Sequence, residues 1–271
     1  MSDITLSAGV RQNLLALQNT ATLFDITSNR LATGKKVNSA LDNPNNFFTA
    51  QGLQGRASDL SGLLDGLSNA VQTVTAANNG ITAIQKLVDS AKALTSQALQ
   101  TSDTVTRADL AVQFDAMLTQ IDQLAGDAGF KGVNLLNGDN LTVTFNETAT
   151  SSVTISGVTD KAANDLSISG AAASWLTSAN INAAVTDLTA ATSTLRSQAK
   201  TFGANLAVVQ TRQDFTKATI NTLQIGADNL TLADTNEEGA NLTALQTRQQ
   251  ISTIALSLAN QANQNVLRLF Q

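Results

Sequence analysis

The sequence predicts a mainly α-helical protein. Its long antiparallel coiled-coil-like helices come from both halves of the chain and form a rod, and a small β-rich insertion lies between the halves. Three observations carry this. One proline stands in 271 residues, and proline is the residue that most disrupts a helix interior. From Ile181 to Leu230 an alternating four-three step lands almost wholly on apolar or small side chains, the spacing of a helix that seats one stripe against a partner. Residues 139–175 instead alternate with period two and are rich in Thr, Val, Ile and Ser, which suits three or four short strands.

Taken in order, the first helix places Val10, Leu14, Leu17, Ala21, Phe24, Ser28 and Leu31 on one seam. Gly34 follows as a C-terminal cap, with Lys35 and Lys36 complementing the helix dipole. Asp42-Asn43-Pro44-Asn45-Asn46 reads as a turn that caps the next helix. It lacks the sixth-place Gly and closing Glu of a calcium loop. A second register runs through Leu60, Leu64, Leu67, Val71, Val74, Asn78, Ile81, Gln85, Val88 and Ala91. Asn78-Asn79-Gly80 has the composition of a turn, but the apolar phase survives across it, so one continuous helix is expected in preference to a turn there. A third, at Leu110, Phe114, Met117, Ile121 and Leu124, starts from a Thr106 cap with Asp109 three residues on, and stops at Gly126-Asp127-Ala128-Gly129.

The insertion separates helical halves that must meet, so it is expected to project outward, with Trp175 plugging its base. The long 181–230 helix spans roughly 75 Å. The C-terminal helix carries Ile251, Ala255, Leu258, Ala262, Asn265 and Leu269 on a seam, with Ile254, Leu256, Val266, Leu267 and Phe270 off it. A helix that is apolar on more than one face needs several partners. Isolated helices are marginal in water, so both ends are expected to order against each other and against neighbouring copies. The candidate polymerisation residues are Val10, Leu14, Leu17, Phe24, Leu31, Ile251, Ile254, Leu258, Val266, Leu267, Leu269 and Phe270.

Composition removes most chemistry. With no His and no Cys, imidazole and thiolate metal sites, a Ser-His-Asp triad and a Cys nucleophile are excluded. Sixteen Lys and Arg stand against 21 Asp and Glu, a net charge of −5, which argues against nucleic-acid binding. Gly126, Gly129 and Gly132 form no phosphate loop. Glu237-Glu238 reads as a solvated helix start rather than an acid–base pair. No metal, cofactor or catalytic residue is expected. No apolar run reaches the roughly 18 residues that span a bilayer, and the N-terminus does not read as a secretory signal. The sequons Asn140-Leu141-Thr142 and Asn146-Glu147-Thr148, and the Ser/Thr-rich insertion, fit either glycan attachment or plain strand composition.

Several stretches resemble bacterial flagellin. RLATGKKVNSALDNP (30–44) resembles the passage from the first helix into a spoke-like linker. Residues 53–99 resemble the long helix that follows. QIDQLAGDAGFKGVNLLNG (120–138) resembles the end of the N-terminal part. Residues 226–270, closing on Gln264-Asn265-Val266-Leu267, resemble the C-terminal part. Pro44-Asn45-Asn46-Phe47-Phe48 departs from the stretch usual after the spoke.

The resemblance implies a self-assembling structural subunit of the flagellar filament, not an enzyme. Its alternative is a hook–filament junction (hook-associated) protein of the same superfamily. It implies an inner-tube domain from 1–32 and 240–271, a spoke linker 33–45, a helical rod from 46–138 and 176–239, and a short outer insertion 139–175, hence a thin, nearly smooth filament. It also implies type III export in unfolded form to an extracellular filament. The implied partners are further copies of the chain, an export chaperone, the filament cap, hook-associated junction proteins and, where present, sibling flagellins. Stretch 92–99 lacks the arginine and glutamate typical of the patch read by the innate immune receptor, which argues against recognition.

Overall fold

A computed structural model describes residues 8–269, the side chains of Asn263 and of 266–269 excepted. The elements are α1 (Ala8–Thr33), α2 (Pro44–Gln100), α3 (Thr104–Asp127), β1 (Leu141–Thr144), β2 (Ser152–Ile155), α4 (Ser178–Thr231) and α5 (Thr235–Leu269). They divide into two compact units, Arg56–Asn221 and the combination of Met1–Gly55 with Thr222–Gln271. The expected mainly α architecture with a small β element is the one found.

The Arg56–Asn221 unit is organised by seams legible in the sequence. Every position of the predicted α4 seam, from Ile181 to Ile220 within this unit, is buried or half-buried, and so are Leu223, Ala227 and Leu230 beyond it. The α3 positions Leu110, Phe114 and Ile121 are buried, with Met117 and Leu124 half-buried. α2 runs unbroken through Asn78-Asn79-Gly80. Its second buried column is Ala70, Ala77, Ile84, Ala91 and Ala98, one residue short of the predicted Val71, Asn78 and Gln85, which are half-buried. A helix with neighbours on two sides buries a wider arc than a single seam. Gly80 is required by close approach rather than by a turn: a Cβ there would meet Leu136 Cδ1 at 2.6 Å and Ala128 Cβ at 2.7 Å.

The α3 cap differs from expectation. Asp103, not Thr106, is the N-cap, and its carboxylate accepts the Thr106 N–H at 2.9 Å. The Thr106 hydroxyl also donates to it, and these two bonds hold the Asp103 carboxyl below its ordinary range. Just inside, the buried Arg107 ties the start of α3 to the end of α2 and the start of α4. Its guanidinium donates to the carbonyls of Ala98 (3.1 Å), Thr101 (2.8 Å) and Leu176 (3.4 Å) and to the Ser178 hydroxyl (3.2 Å). The carbonyls at the end of α2, otherwise orphaned, thereby find a donor.

Two corrections concern the insertion. It contains two strands rather than three or four, a single antiparallel hairpin pairing Leu141 with Ile155 and Thr144 with Ser152. It also does not simply project: Val143, Ile155, Ala162, Leu166, Ile168 and Trp175 are buried in one cluster with Phe114, Leu188 and Leu195. Carboxylates on the helices hold its return limb by accepting backbone N–H groups. Asp122 takes Ala162 at 2.7 Å, Asp115 takes Ala171 at 2.8 Å and Asp187 takes Ser169 at 3.2 Å. The hairpin tip is fastened by the Arg56–Glu147 ion pair at 2.6 Å and by Arg212, 5.1 Å from the Phe145 ring centroid.

Trp175 is the expected plug, fully buried 4.9 Å from Phe114. It is reached through a turn in which Ala173, Ser174 and Trp175 all take left-handed φ of 47°, 49° and 56°. Left-handed backbone costs about 1–2 kcal/mol per residue, which burial of a large aromatic ring offsets.

In the other unit, α1 ends at Gly34, whose φ of +68° a side chain would strain. The linker then pairs with the α4–α5 junction. Lys36 and Val37 donate N–H to the Thr231 carbonyl at 2.8 and 3.2 Å, and Ala233 donates to the Gly34 carbonyl at 3.0 Å. Lys36 Nζ reaches the Asn229 carbonyl at 3.2 Å, so this cation complements the end of α4 rather than that of α1. The turn before α2 is fixed by Asp42, which accepts the N–H groups of Ser39 and Asn38, both at 2.9 Å. Those two backbone bonds, Ser39 first, lower its carboxyl. Asn43 then caps α2 by accepting the Asn46 N–H at 3.0 Å.

Candidate assembly site on the terminal helices

α1 and α5 lie side by side, and the faces they turn toward each other are narrow and mixed in polarity. On α1 the buried or half-buried positions are Val10, Asn13, Leu17, Thr20, Ala21, Phe24, Thr27, Ser28 and Arg30. On α5, among the described side chains, they are Glu238, Gly239, Leu242, Leu245, Gln249, Ser252, Ala255, Leu256 and Ala259. Near the start of α5, Arg30 and the buried Glu238 form an ion pair at 3.2 Å. Glu238 therefore departs from the expected solvated helix start, whereas Glu237 is exposed. Asp234 caps α5, its carboxylate accepting the Asn236 and Glu237 N–H groups at 2.9 and 3.3 Å.

The large apolar side chains that this pairing leaves over point outward. Ile251, Ile254 and Leu258 sit at i, i+3 and i+7 on α5 and are 61%, 67% and 66% exposed. On α1, Leu15, Leu23 and Ile26 are exposed as well. The predicted polymerisation residues thus separate into two groups. Val10, Leu17 and Phe24 turn inward; Leu14, Leu31, Ile251, Ile254 and Leu258 turn outward. Val266, Leu267 and Leu269 belong to α5 with side chains outside the description, and Phe270 lies outside the described residues.

The outward members of α1 that the seam missed, Leu15, Leu23 and Ile26, had a signal: they are apolar residues off the main stripe. Among the described residues no group of three or more His, Cys, Asp or Glu is placed to hold a metal ion. No described helix is long and apolar enough to cross a membrane.

Known proteins match this sequence end to end. The bacterial flagellin N-terminal helical region matches residues 6–141, and the bacterial flagellin C-terminal helical region matches residues 178–270. The chain belongs to the bacterial flagellin family. Among its relatives, flagellin FljM of Caulobacter vibrioides is 30% identical over 95% of this chain and 96% of its own. Flagellin FljK of the same organism is 28% identical over 100% of this chain and 99% of its own. A flagellin of Brucella melitensis is 28% identical over the whole of both chains. A crystal structure of Bacillus cereus flagellin covers 55% of this chain and 86% of its own at 16% identity, with a TM-score of 0.48.

As a flagellin the protein is a structural subunit of the flagellar filament and not an enzyme, and it polymerises with copies of itself. The hook-associated alternative is not favoured, since the relatives that match over the full length are flagellins. Residues 142–177, which neither family region covers, include most of the hairpin and its return limb.

Proposed function

We propose that this flagellin polymerises through the outward apolar stripes of α1 and α5, with the inward faces serving to pair the two helices within one subunit. The observation that carries the reading is the distribution of side chains. The pair buries Asn13, Thr20, Gln249 and Ser252 at least in part while leaving Ile251, Ile254 and Leu258 about two-thirds exposed. Full burial of an aliphatic side chain is worth about 1.5–3 kcal/mol, so neighbouring copies that cover these stripes gain what the lone subunit forgoes. Exposed apolar patches of this kind mark interaction surfaces.

In this reading residues 1–32 and 240–271 form the inner tube of the filament, 33–45 its spoke, and 46–138 with 176–239 the surrounding rod. Residues 139–175 form its short outer face. Val266, Leu267, Leu269 and Phe270 extend the polymerisation surface. The subunit leaves the cell unfolded through the flagellar type III apparatus and assembles extracellularly. A cytoplasmic export chaperone covers the C-terminal helix beforehand, and the filament cap and hook-associated junction proteins meet the finished polymer at its two ends.

Salt-induced assembly followed by electron microscopy tests the central point. Deleting 240–271 is expected to abolish filaments while the lone Trp175 keeps its buried fluorescence, since its surroundings lie within Arg56–Asn221. Long filaments from the truncated chain defeat the assignment.

A further inference from the structure

The limb that leads from β2 toward α4 is strapped down by its backbone. Val158 donates N–H to the Leu135 carbonyl at 2.7 Å, Asp160 to the Leu136 carbonyl at 3.0 Å, and Ala162 to the Asp122 carboxylate of α3 at 2.7 Å. In the middle of this stretch the Asp160 side chain is fully buried, and neither of its carboxylate oxygens has a hydrogen-bond partner. The Oε1 of Gln198 on α4, whose amide lies beside it, has no partner either. Both Asp160 oxygens and the Gln198 oxygen are thus buried acceptors that no donor bonds. Burying a charge is costly unless it is paired and hydrogen-bonded, whereas a protonated carboxyl brings its own donor.

The charged neighbours favour the same form. Asp165, on the same limb, is bonded to the Thr159 N–H at 2.7 Å and repels a second negative charge. From α3 the group at hand is another acid, Asp122. From α4 it is the uncharged Gln198, and the acid of the 134–139 turn, Asp139, is engaged by the Asn134 N–H at 2.8 Å. Lys161, next in the chain, forms no ion pair with Asp160.

We propose that Asp160 is a proton-operated latch: as the neutral acid it lets residues 157–168 seat against α3 and α4, and as the carboxylate it loosens that limb while the helices stay folded. Burial pushes this carboxyl up to about 6 and Asp165 adds to the rise. The Gln198 amide, close but not completing a hydrogen bond, opposes it. In the open limb the group returns to its ordinary value of 3.8. The closed form therefore holds the proton more tightly than the open one. Closure is at its strongest below pH 3.8 and weakens as pH rises toward about 6, above which the loss is complete. The latch does not depend on how the subunit polymerises.

Hydrogen exchange by mass spectrometry on the full monomeric chain tests it, after correction for the intrinsic rate. Peptides over 157–168 are expected to be about tenfold less protected at pH 8 than at pH 5, while those of α2 and α4 do not change. Asp160→Asn, which keeps the shape but cannot ionise, is expected to abolish the difference. Protection that is equal at both pH values in the wild type, or a difference that survives in Asp160→Asn, overturns the proposal. Should that variant not fold, carboxyl NMR of the wild type decides: an Asp160 midpoint near 6 supports the latch and one near 4 refutes it.

Discussion

At the scale of single residues, identity matters where the chain comes closest to itself. Gly80 and Gly66 both sit inside α2, and alanine is the better helix former by about 1 kcal/mol. A methyl group added at Gly66 would have nothing within 4 Å, whereas one added at Gly80 would overlap Leu136 and Ala128. Gly66→Ala is therefore expected to raise stability by up to about 1 kcal/mol. Gly80→Ala is expected to lower it by about 1–3 kcal/mol, since overpacking outweighs propensity. Urea titrations followed by Trp175 fluorescence check both signs. Arg107→Met is expected to cost about 2–4 kcal/mol in the same assay, because the Ala98 and Thr101 carbonyls lose a charged donor. Neither role is legible in the sequence. Gly80 reads as a candidate turn beside Asn78 and Asn79 because Leu136 and Ala128 lie far along the chain, and the role of Arg107 depends on how the chain folds back between α2 and α3 and on the distant Leu176 and Ser178.

At the scale of elements, helices are the most legible feature. The seams at 181–230 and 110–124 depend on a period set by local backbone geometry, and nothing distant alters that period. The faces of the terminal helices are less legible. A period names a stripe without naming its partner, so it groups Val10, Leu17 and Phe24 with Leu14 and Leu31, from which the structure separates them. A pair of substitutions makes the distinction measurable. Replacing Ile251, Ile254 and Leu258 together with serine is expected to leave the monomer's helical circular dichroism within a few per cent of wild type and to prevent assembly. Leu245→Ser, on the inward face, is expected to lower monomer helicity as well. Equal effects of the two on the monomer count against separate inward and outward roles. The hairpin shows the opposite limit. Its two strands are short enough that four residues each decide the count, and period-two composition overstates their number.

For the whole molecule, the terminal helices and the Arg56–Asn221 unit follow different patterns of burial. The latter encloses Leu67, Ile81, Phe114, Leu195 and Trp175 completely; the former leave Leu15, Leu23, Ile251, Ile254 and Leu258 exposed. Limited proteolysis is expected to clip 8–33 and 240–269 in the monomer and to spare them in assembled filaments, with 56–221 resistant in both. Equal protection of the ends in both states removes the argument that assembly completes their packing.

The amino-acid sequence alone determined that this chain is helical, where its helices run, that it lacks the groups for imidazole or thiol chemistry, and that its ends resemble those of flagellins. These are properties of local spacing and composition, which need no knowledge of what lies across the fold. Only the tertiary structure decided which stripe of α1 meets α5, that Glu238 pairs with Arg30 instead of facing water, that the insertion sinks its apolar residues into the helical core, and that the Asp160 carboxylate is buried without a hydrogen-bond partner. Each of those depends on contacts between residues far apart in the chain, and burial and pairing are set by the neighbour rather than by the residue itself.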